Sequence, residues 1–238
     1  MKKTYTIVIM LFLLSLSTLN ISAQFVVVQD TIRGRTDFLP RLGDFHNAIA
    51  IPNDSVLFLL PPNPETDPWR YVDFYTPSRE IKSGYIHGTK FMRVDDYDMV
   101  DVERLSAHGA ISFREDPVRV NVSVSKVPNN DASVKQNMHG IYLVNGKPAK
   151  GISKGTTPKL RYQSISVTIK GKVITFPKKV YENLFEPEIE NMAVYYNPRK
   201  EIVYVVANNG GTDAYYNVMW MVTRKGVSSP YIFDLLTR

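Results

Sequence analysis

The residue pattern closest to a catalytic motif is Ser123-Val124-Ser125-Lys126, in which a serine precedes a lysine by three positions. In one class of acyl-transfer enzymes this spacing begins a helix, so that the lysine lies beside the nucleophilic serine, and further motifs complete the site. Here valine alternates with polar residues from Val118 to Val124, which predicts a strand, and the accompanying motifs are missing. The motif therefore does not indicate a nucleophilic serine.

Acidic residues and histidines give no stronger indication of catalysis. Glu186, Glu188 and Glu190 lie close together, and glycoside hydrolysis needs a pair of carboxylates, but alternating acids are also typical of a solvated edge. Four histidines share no short metal-ligand spacing: His46, His87, His108 and His139. The sequence therefore predicts a protein that is not an enzyme, and a cysteine-free hydrolase is kept as an alternative.

Metal and thiol chemistry are limited by composition. The chain has no cysteine, which excludes thiolate zinc sites, cysteine nucleophiles, disulfides and a lipid anchor on a cysteine. The acidic run around Asp95 and Asp98 lacks the central glycine and final ligand of an EF-hand loop. We therefore predict no metal and no cofactor.

The N-terminus has the pattern of a secretory signal peptide. Lys2 and Lys3 precede an apolar run of ten residues, Ile7 to Leu16, and Ile21-Ser22-Ala23 precedes a predicted cut before Gln24. The apolar run is about half the length that a membrane span requires. We therefore expect residues 1–23 to be removed and the protein to be periplasmic or secreted, with no transmembrane span.

Positive charge is concentrated in the second half of the chain. Between Asp131 and Glu182 there is no acid, whereas ten basic residues occur: Lys135, Lys147, Lys150, Lys154, Lys159, Arg161, Lys170, Lys172, Lys178 and Lys179. Such a segment attracts anionic partners if it forms one face. Export argues against nucleic acid, which leaves wall polymers, anionic lipid headgroups or an acidic protein, or simply solvated strand faces.

A glycine-rich turn separates two apolar runs near the C-terminus. It reads Asn208-Asn209-Gly210-Gly211-Thr212-Asp213 and is followed by Tyr215 and Tyr216. Adjacent glycines allow positive φ and close backbone approach, and tyrosine is enriched at interfaces. The turn is either a recognition loop or an ordinary hairpin with core tyrosines.

Short strands and turns account for most of the chain. Asn145-Gly146 and Lys170-Gly171 each separate strand-like runs and predict hairpins. One helix is predicted after Pro177, because Val180, Tyr181, Leu184 and Phe185 share one face before Pro187. The strand from Tyr215 to Thr223 is apolar on both faces, which predicts a central position in a sheet.

The N-terminal third resembles the bacterial SH3-like domain. A Trp-x-x-Val strand is followed by a Gly-Tyr-Ile-His strand, and the matching residues are Trp69, Val72, Gly84, Tyr85, Ile86, His87 and Phe91. The Asn-Val-Arg strand of that family has no counterpart, although Thr31 to Arg35 lies near its place. The resemblance implies a small barrel over about residues 25–93 that binds wall peptides or accompanies exported bacterial proteins.

The C-terminal region resembles small exported proteins of the inhibitor or immunity type. The resemblance depends on an Asn-Gly-Lys turn at 145–147, Pro177, the glycine-rich turn and the Tyr216-x-Val218-x-Trp220 strand. It implies a protein partner.

Together these features predict a mainly β protein with an N-terminal SH3-like barrel (residues 24–95) and a C-terminal β-rich α+β domain with one short helix (residues 98–238). The predicted function is non-catalytic binding in the bacterial envelope, as an adaptor, inhibitor or immunity-type protein, with an envelope protein or a peptidoglycan fragment as partner. A wall-binding module is the alternative. The predicted partner-binding residues are Trp69, Tyr85, His87, Lys147, Lys150, Lys154, Asn209, Gly210, Gly211, Asp213 and Tyr215.

Overall fold

Short runs of β-branched and aromatic residues form most of the regular structure in the computed structural model, which describes residues 25–211 and 213–234. The predicted signal peptide and its cut before Gln24 lie outside the described residues. The prediction of a mainly β protein is confirmed. Helical structure in the described residues is limited to four three-residue 3-10 helices: Pro64–Thr66, Val94–Asp96, Lys178–Val180 and Ile189–Asn191.

Seven strands come from the N-terminal part of the chain: β1 (Phe25–Val28), β2 (Arg35–Phe38), β3 (Ile49–Pro52), β4 (Val56–Leu59), β5 (Trp69–Tyr75), β6 (Ile81–His87) and β7 (Phe91–Arg93). Five of them form an antiparallel sheet in the order β6-β5-β4-β1-β7, and β2 pairs with β3 in a separate hairpin. The ladder runs from β6 to β7 without closing on itself.

The middle of the chain forms a second sheet and a small three-stranded one. Its strands are β8 (Asp98–Met99), β9 (Val102–Ser106), β10 (Ala110–Glu115), β11 (Val118–Lys126), β12 (Val134–Gln136), β13 (Tyr142–Val144), β14 (Lys147–Pro148), β15 (Leu160–Ile169) and β16 (Lys172–Thr175). The larger sheet has the order β16-β15-β11-β10-β9. Both predicted hairpins are confirmed: Asn145-Gly146 joins β13 to β14, and Lys170-Gly171 joins β15 to β16.

The last five strands form a six-stranded sheet together with β8. They are β17 (Met192–Asn197), β18 (Ile202–Asn209), β19 (Tyr216–Thr223), β20 (Gly226–Val227) and β21 (Tyr231–Phe233). The order is β20-β19-β18-β17-β8, and β21 also pairs with β19. The central position predicted for the strand ending at Thr223 is confirmed, because β19 lies between β18 and the short strands β20 and β21.

Both faces of the six-stranded sheet are buried against other layers. Along β18, Val203 and Val205 pack into a core shared with the β16–β9 sheet, whereas Tyr204 and Val206 pack into a core shared with the N-terminal sheet. Successive side chains of a strand point to opposite faces. The six-stranded sheet is therefore an inner layer of the molecule.

The N-terminal sheet is also an inner layer. Phe25 and Val27 of β1 face the six-stranded sheet, and Val26 and Val28 face a third core that includes residues of the β2–β3 hairpin. Three cores thus separate four β layers: the β2–β3 hairpin, the N-terminal sheet, the six-stranded sheet and the β16–β9 sheet.

The structure corrects the prediction of a helix after Pro177. Only Lys178–Val180 is helical, and it is a single 3-10 turn. Glu182 N–H still donates to Lys178 O, at 2.8 Å, but the helix does not continue: Phe185 N–H donates to Lys150 O, at 3.0 Å, and Glu186 N–H donates to Leu160 O, at 3.0 Å. These tertiary bonds replace the i to i−4 bonds that an α-helix would need.

Within the described residues, no helix has the length and hydrophobicity needed to cross a membrane.

Candidate functional site

Aromatic rings cover one face of the β5–β6 pair. Trp69 lies opposite His87 and Tyr71 lies opposite Tyr85, with ring-centroid distances of 5.3 Å and 4.9 Å. Residues two apart on a strand share a face, so all four rings are on the same side of the sheet. Both pairs have edge-on geometry, which is favourable for aromatic rings.

Phe45 extends these rings beyond the sheet. Its side chain is 62% exposed, and its ring lies 5.8 Å from that of Trp69. We call Phe45, Trp69, Tyr71, Tyr85 and His87 the aromatic surface. It brings together three of the predicted partner-binding residues, Trp69, Tyr85 and His87.

Gly84 sets the position of the chain beside this surface. Leu39 and Tyr85 exchange two backbone hydrogen bonds of 2.8 Å, which fasten the end of β2 to β6. A Cβ atom on Gly84 would lie 2.5 Å from Leu39 O and 2.5 Å from Phe38 Cζ. Only glycine fits this close approach without a shift of the backbone.

His87 belongs to the surface by packing and not by metal chemistry. Its Nδ1 lies 2.9 Å from Thr89 Oγ1, two residues along the chain. In the part of the chain that the structure describes, no group of three His, Asp or Glu residues is placed to hold a metal ion. The structure thus gives His87 the role of an aromatic neighbour of Trp69.

The same face of β5–β6 continues into a cavity of about 350 Å³, which we call the junction cavity. The next cross-strand pairs after Tyr71 and Tyr85 are Asp73 with Ser83 and Tyr75 with Ile81. The opposite walls come from distant parts of the chain. The cavity is lined by Asp73, Tyr75, Ile81, Ser83, Lys150, Ile232, Phe233 and Asp234.

Two polar pairs lie in the junction cavity. Ser83 Oγ donates a hydrogen bond of 2.6 Å to Asp73 Oδ1, and Asp73 is only 1% exposed. Lys150 Nζ lies 2.6 Å from Asp234 Oδ2. A carboxylate is a weak base, so its contact with Ser83 orients the hydroxyl without activating it as a nucleophile. The arrangement is suited to binding.

The structure corrects the prediction that Asn209, in the glycine-rich turn, binds a partner. Asn209 is fully buried, and its side chain bonds to the Tyr162 hydroxyl and accepts from the Glu188 N–H at 3.0 Å. Burial raises the pKa of Tyr162 well above its ordinary value, so the phenol stays protonated as a partner. Because Asn209 has no exposed surface, we assign it to the turn and not to a binding surface.

Gly210 and Tyr216 are also structural. A Cβ on Gly210 would lie 2.3 Å from Ala214 O and 3.2 Å from the Cα of Gly151. The Tyr216 hydroxyl donates to Phe185 O, at 2.9 Å, and the residue is fully buried. The close backbone approach predicted for the two glycines is confirmed at Gly210, but it serves packing inside the protein.

The remaining residues of this turn are accessible. Gly211 and Asp213 are exposed, and Tyr215 is half-buried with its hydroxyl donating to Asn217 Oδ1 at 3.0 Å. Ser153 Oγ donates to Asp213 Oδ1. This contact joins the turn to the loop that carries Lys154.

That loop contains a Gly-x-Ser-x-Gly spacing, Gly151-Ile152-Ser153-Lys154-Gly155, which the sequence analysis missed. The nucleophile elbow with this spacing requires a strand before the serine and a helix after it. Residues 151–159 form neither, and Ser153 is bonded to a carboxylate and not to a histidine base. The spacing is therefore part of a loop.

The basic residues do not converge on one patch. Lys159 and Lys170 flank the ten-residue strand β15 at its two ends, about 36 Å apart at the usual rise per residue. Three of the basic residues are paired with acids: Lys150 with Asp234, Arg161 with Asp131 and Lys170 with Glu201. Lys147 and Lys154 are exposed. The positive charge is therefore spread out and partly neutralised.

Sequence reasoning did not identify Phe45, Asp73, Ser83 or Asp234. The alternation of Trp69, Tyr71 and Asp73 along β5 was a usable signal, because residues at this spacing share a face. Asp234 gave no local signal, since only the folded chain brings it to Lys150.

Comparison of the chain with protein-family models, with curated proteins and with solved structures found no match.

Proposed function

We propose that this protein is a non-catalytic binding protein of the bacterial envelope, of the adaptor, inhibitor or immunity type, and that its partner is a protein which contacts the aromatic surface. The observation that carries the proposal is the ring cluster formed by Phe45 with the Trp69–His87 and Tyr71–Tyr85 pairs, in which Phe45 and Tyr71 are exposed and the other three residues are half-buried. Aromatic side chains supply most of the energy at many interfaces and lose little conformational entropy on binding. The proposed location is the periplasm or the external medium, on the basis of the signal-like N-terminus.

The SH3-like resemblance is part of this proposal. It is supported by the pairing of the Trp69–Val72 segment with the Gly84–His87 segment on neighbouring strands, and by the fastening of β2 to β6 beside Gly84. The open ladder from β6 to β7 gives no support for a closed barrel. We propose residues 24–95 and 98–238 as the two units, and they share the core that contains Phe58 and Tyr204.

A peptidoglycan fragment is the second candidate partner. It is favoured by the continuity between the aromatic surface and the polar junction cavity on one sheet face. A shallow ring-lined surface with a polar end suits a ligand that has both sugar rings and a charged peptide.

The test uses the mature chain, residues 24–238, as wild type, Trp69→Ala and Tyr85→Ala. Met138→Ala serves as the control, because Met138 is 92% exposed and lies outside the aromatic surface. Each protein is mixed with purified sacculi at low and high salt, and separately immobilised to capture partners from an envelope extract.

Capture of one defined envelope protein by wild type and Met138→Ala, with loss in the Trp69 and Tyr85 variants, supports a protein partner. Pelleting with sacculi that survives high salt and is lost in the same two variants supports the wall module instead. If the Trp69 and Tyr85 variants bind as well as the wild type in both assays, the aromatic surface is not the binding site and the proposal is overturned.

A further inference from the structure

A second cavity, of about 650 Å³, lies where the turn between β5 and β6 meets the β2–β3 hairpin and β21. It is lined by all of β3, by the turn from Thr76 to Glu80 and by Tyr231, and we call it the edge groove. Its walls are mainly apolar, and its volume lies in the range of ligand sites that combine apolar walls with a few polar groups. The polar groups of the edge groove therefore decide what it can bind.

The Arg79 side chain is held in place before any ligand arrives. Its Cζ lies 4.2 Å from the centroid of the Tyr75 ring and 5.4 Å from that of the Tyr231 ring, and its Nη2 donates to Pro230 O. The backbone is fixed as well, because Arg79 N–H donates to Thr76 O at 2.8 Å. Arg79 has a positive φ of +67°, a conformation that glycine adopts more readily. A ligand therefore does not have to order this side chain when it binds.

The guanidinium group of Arg79 keeps most of its donors for a ligand. It carries five N–H donors, and its only side-chain hydrogen bond to a described residue is the one to Pro230 O. Arg79 is exposed and forms no ion pair within the described part of the chain. Lys82 and Glu80 also line the groove and are exposed, so they add one charge of each sign. The fork of N–H donors matches a carboxylate, which can accept two of them at once.

The edge groove also contains an unpaired strand edge. In an antiparallel pair, every second residue of a strand bonds to its partner strand and the residues between point the other way. Asn53 N–H donates to Gly34 O, at 3.0 Å, so Ile51 and Ile49 are the positions that bond to β2. The N–H and C=O of Ala50 therefore face away from β2, and neither bonds to a described residue. An extended peptide can pair with such an edge.

We infer that the edge groove binds the C-terminal end of an extended polypeptide, with the terminal carboxylate on Arg79 and the adjoining backbone on Ala50. The apolar walls of the groove suit an apolar side chain at the end of that polypeptide. A fatty acid could satisfy Arg79 but would leave the N–H and C=O of Ala50 unpaired, so the strand edge favours a polypeptide. This site is separate from the aromatic surface and does not rest on the proposed function.

The first experiment compares two probes on the mature chain, residues 24–238. One is a pool of acetylated tripeptides with apolar residues at all three positions and a free carboxylate, and the other is the same pool with amidated C-termini. Binding is followed by the backbone amide signals of Ala50 and Arg79 in NMR spectra. The free acids should give saturable shifts at both residues, and the amides should bind about tenfold more weakly or worse. Equal binding of both pools, or no shifts with either, would overturn the inference.

Two variants test the two contacts separately. Arg79→Gln removes the charge and should weaken binding of the free acids about tenfold or more, whereas Arg199→Gln, an exposed arginine outside the groove, should leave it unchanged. Ala50→Pro removes only an N–H that faces away from β2 and should weaken binding about three- to tenfold, whereas Ala50→Val keeps the N–H and should bind like the wild type. If Arg79→Gln does not fold, Ala50→Pro carries the test. Wild-type affinity in either folded variant would contradict the inference.

Further probes identify the source of the carboxylate. Diacetyl-L-lysyl-D-alanyl-D-alanine has the terminus of a wall peptide, and preference for it over its all-L form assigns the groove to such a peptide. Preference for the all-L form assigns the groove to the C-terminus of a protein. Octanoate that binds more tightly than the peptide pool, and equally well to Ala50→Pro, would place a fatty acid in the groove and overturn the inference.

Discussion

At the scale of single residues, Gly84 occupies a position in the N-terminal sheet that has no room for a side chain. Gly84→Ala places a methyl group 2.5 Å from the backbone oxygen of Leu39 and from the Phe38 ring, so β2 must move away from β6. We expect a loss of about 1–3 kcal/mol in the free energy of unfolding, measured by urea denaturation. Lys82→Ala, on the same strand and exposed, is the control and should change stability by less than about 0.5 kcal/mol.

Asp30 should make folding sensitive to acid. Its carboxylate pairs with Lys90 at 2.8 Å and accepts from the N–H groups of Arg33 and Ile32, and these contacts hold its pKa well below the ordinary value. A lowered folded-state pKa gives stability that is complete above the unfolded pKa of about 4 and is lost as pH falls below it.

Asp30→Asn tests this at the same position with little change in shape. Its urea midpoint at pH 7 should lie below that of the wild type, and the difference should shrink as the pH falls from 5 towards 2. Asp67→Asn, which removes a carboxylate that is 64% exposed, should keep the wild-type acid dependence. A difference that stays constant over this pH range would contradict the assignment to Asp30.

The residues of the aromatic surface differ in how far the sequence reveals them. Trp69, Tyr85 and His87 belong to a recognisable strand pattern, and the structure places them on one sheet face. Phe45 joins them through a loop whose path depends on the Leu39–Tyr85 bonds. Lys150 and Asp234 are 84 residues apart, so their pairing depends on the whole fold.

At the scale of elements, local sequence signals predicted the two hairpins correctly. They predicted a helix wrongly where distant segments take the backbone hydrogen bonds. Asn145-Gly146 and Lys170-Gly171 adopt positive φ at both residues, as tight two-residue hairpins require, and for Asn-Gly this preference is a property of the dipeptide itself. Leu184 and Phe185 instead form bridges to Lys150 and Arg161. Apolar spacing could not show that these bonds would outcompete a helix.

In the glycine-rich turn, a side chain at position 210 should cost stability for two reasons: the positive φ and the close packing around Gly210. Gly210 and Gly171 have nearly the same φ, +81° and +80°, but only Gly210 has neighbours in the path of a Cβ. Gly171→Ala should cost about 1–2 kcal/mol for the left-handed conformation alone, and Gly210→Ala about 1–3 kcal/mol more for the contact with Ala214 O. Urea denaturation of both variants gives the difference, and equal losses would show that the turn relaxes freely.

At the scale of the whole molecule, the sequence predicted β structure but not the order of its layers. Val203 and Tyr204 are adjacent on β18 and lie in different cores. A strand that is apolar on both faces indicates burial on both sides, but its pattern does not say which sheet covers each face. The stacking of the N-terminal sheet on the six-stranded sheet is therefore a result of the structure alone.

The core between these two sheets should make unfolding a single cooperative event. Phe58 stacks on Phe233 with ring centroids 4.9 Å apart, and the Phe25 ring lies 5.9 Å from that of Phe233, so neither proposed unit can open without exposing aromatic surface of the other. Exposing rings of this size costs several kcal/mol in total, at about 1.5–3 kcal/mol for each buried large side chain. A shared core of this kind couples the stabilities of the two units.

The two tryptophans allow this coupling to be measured, because Trp69 lies in the N-terminal sheet and the fully buried Trp220 lies in the opposite core of the six-stranded sheet. In Trp69→Phe, fluorescence reports Trp220 alone, and in Trp220→Phe it reports Trp69 alone. Within each variant, the fluorescence transition in urea should coincide with the loss of β structure followed by far-ultraviolet circular dichroism. A Trp69 transition that precedes the circular dichroism transition would show that the N-terminal sheet opens first, and that its core with Phe233 and Tyr204 contributes too little to hold the units together.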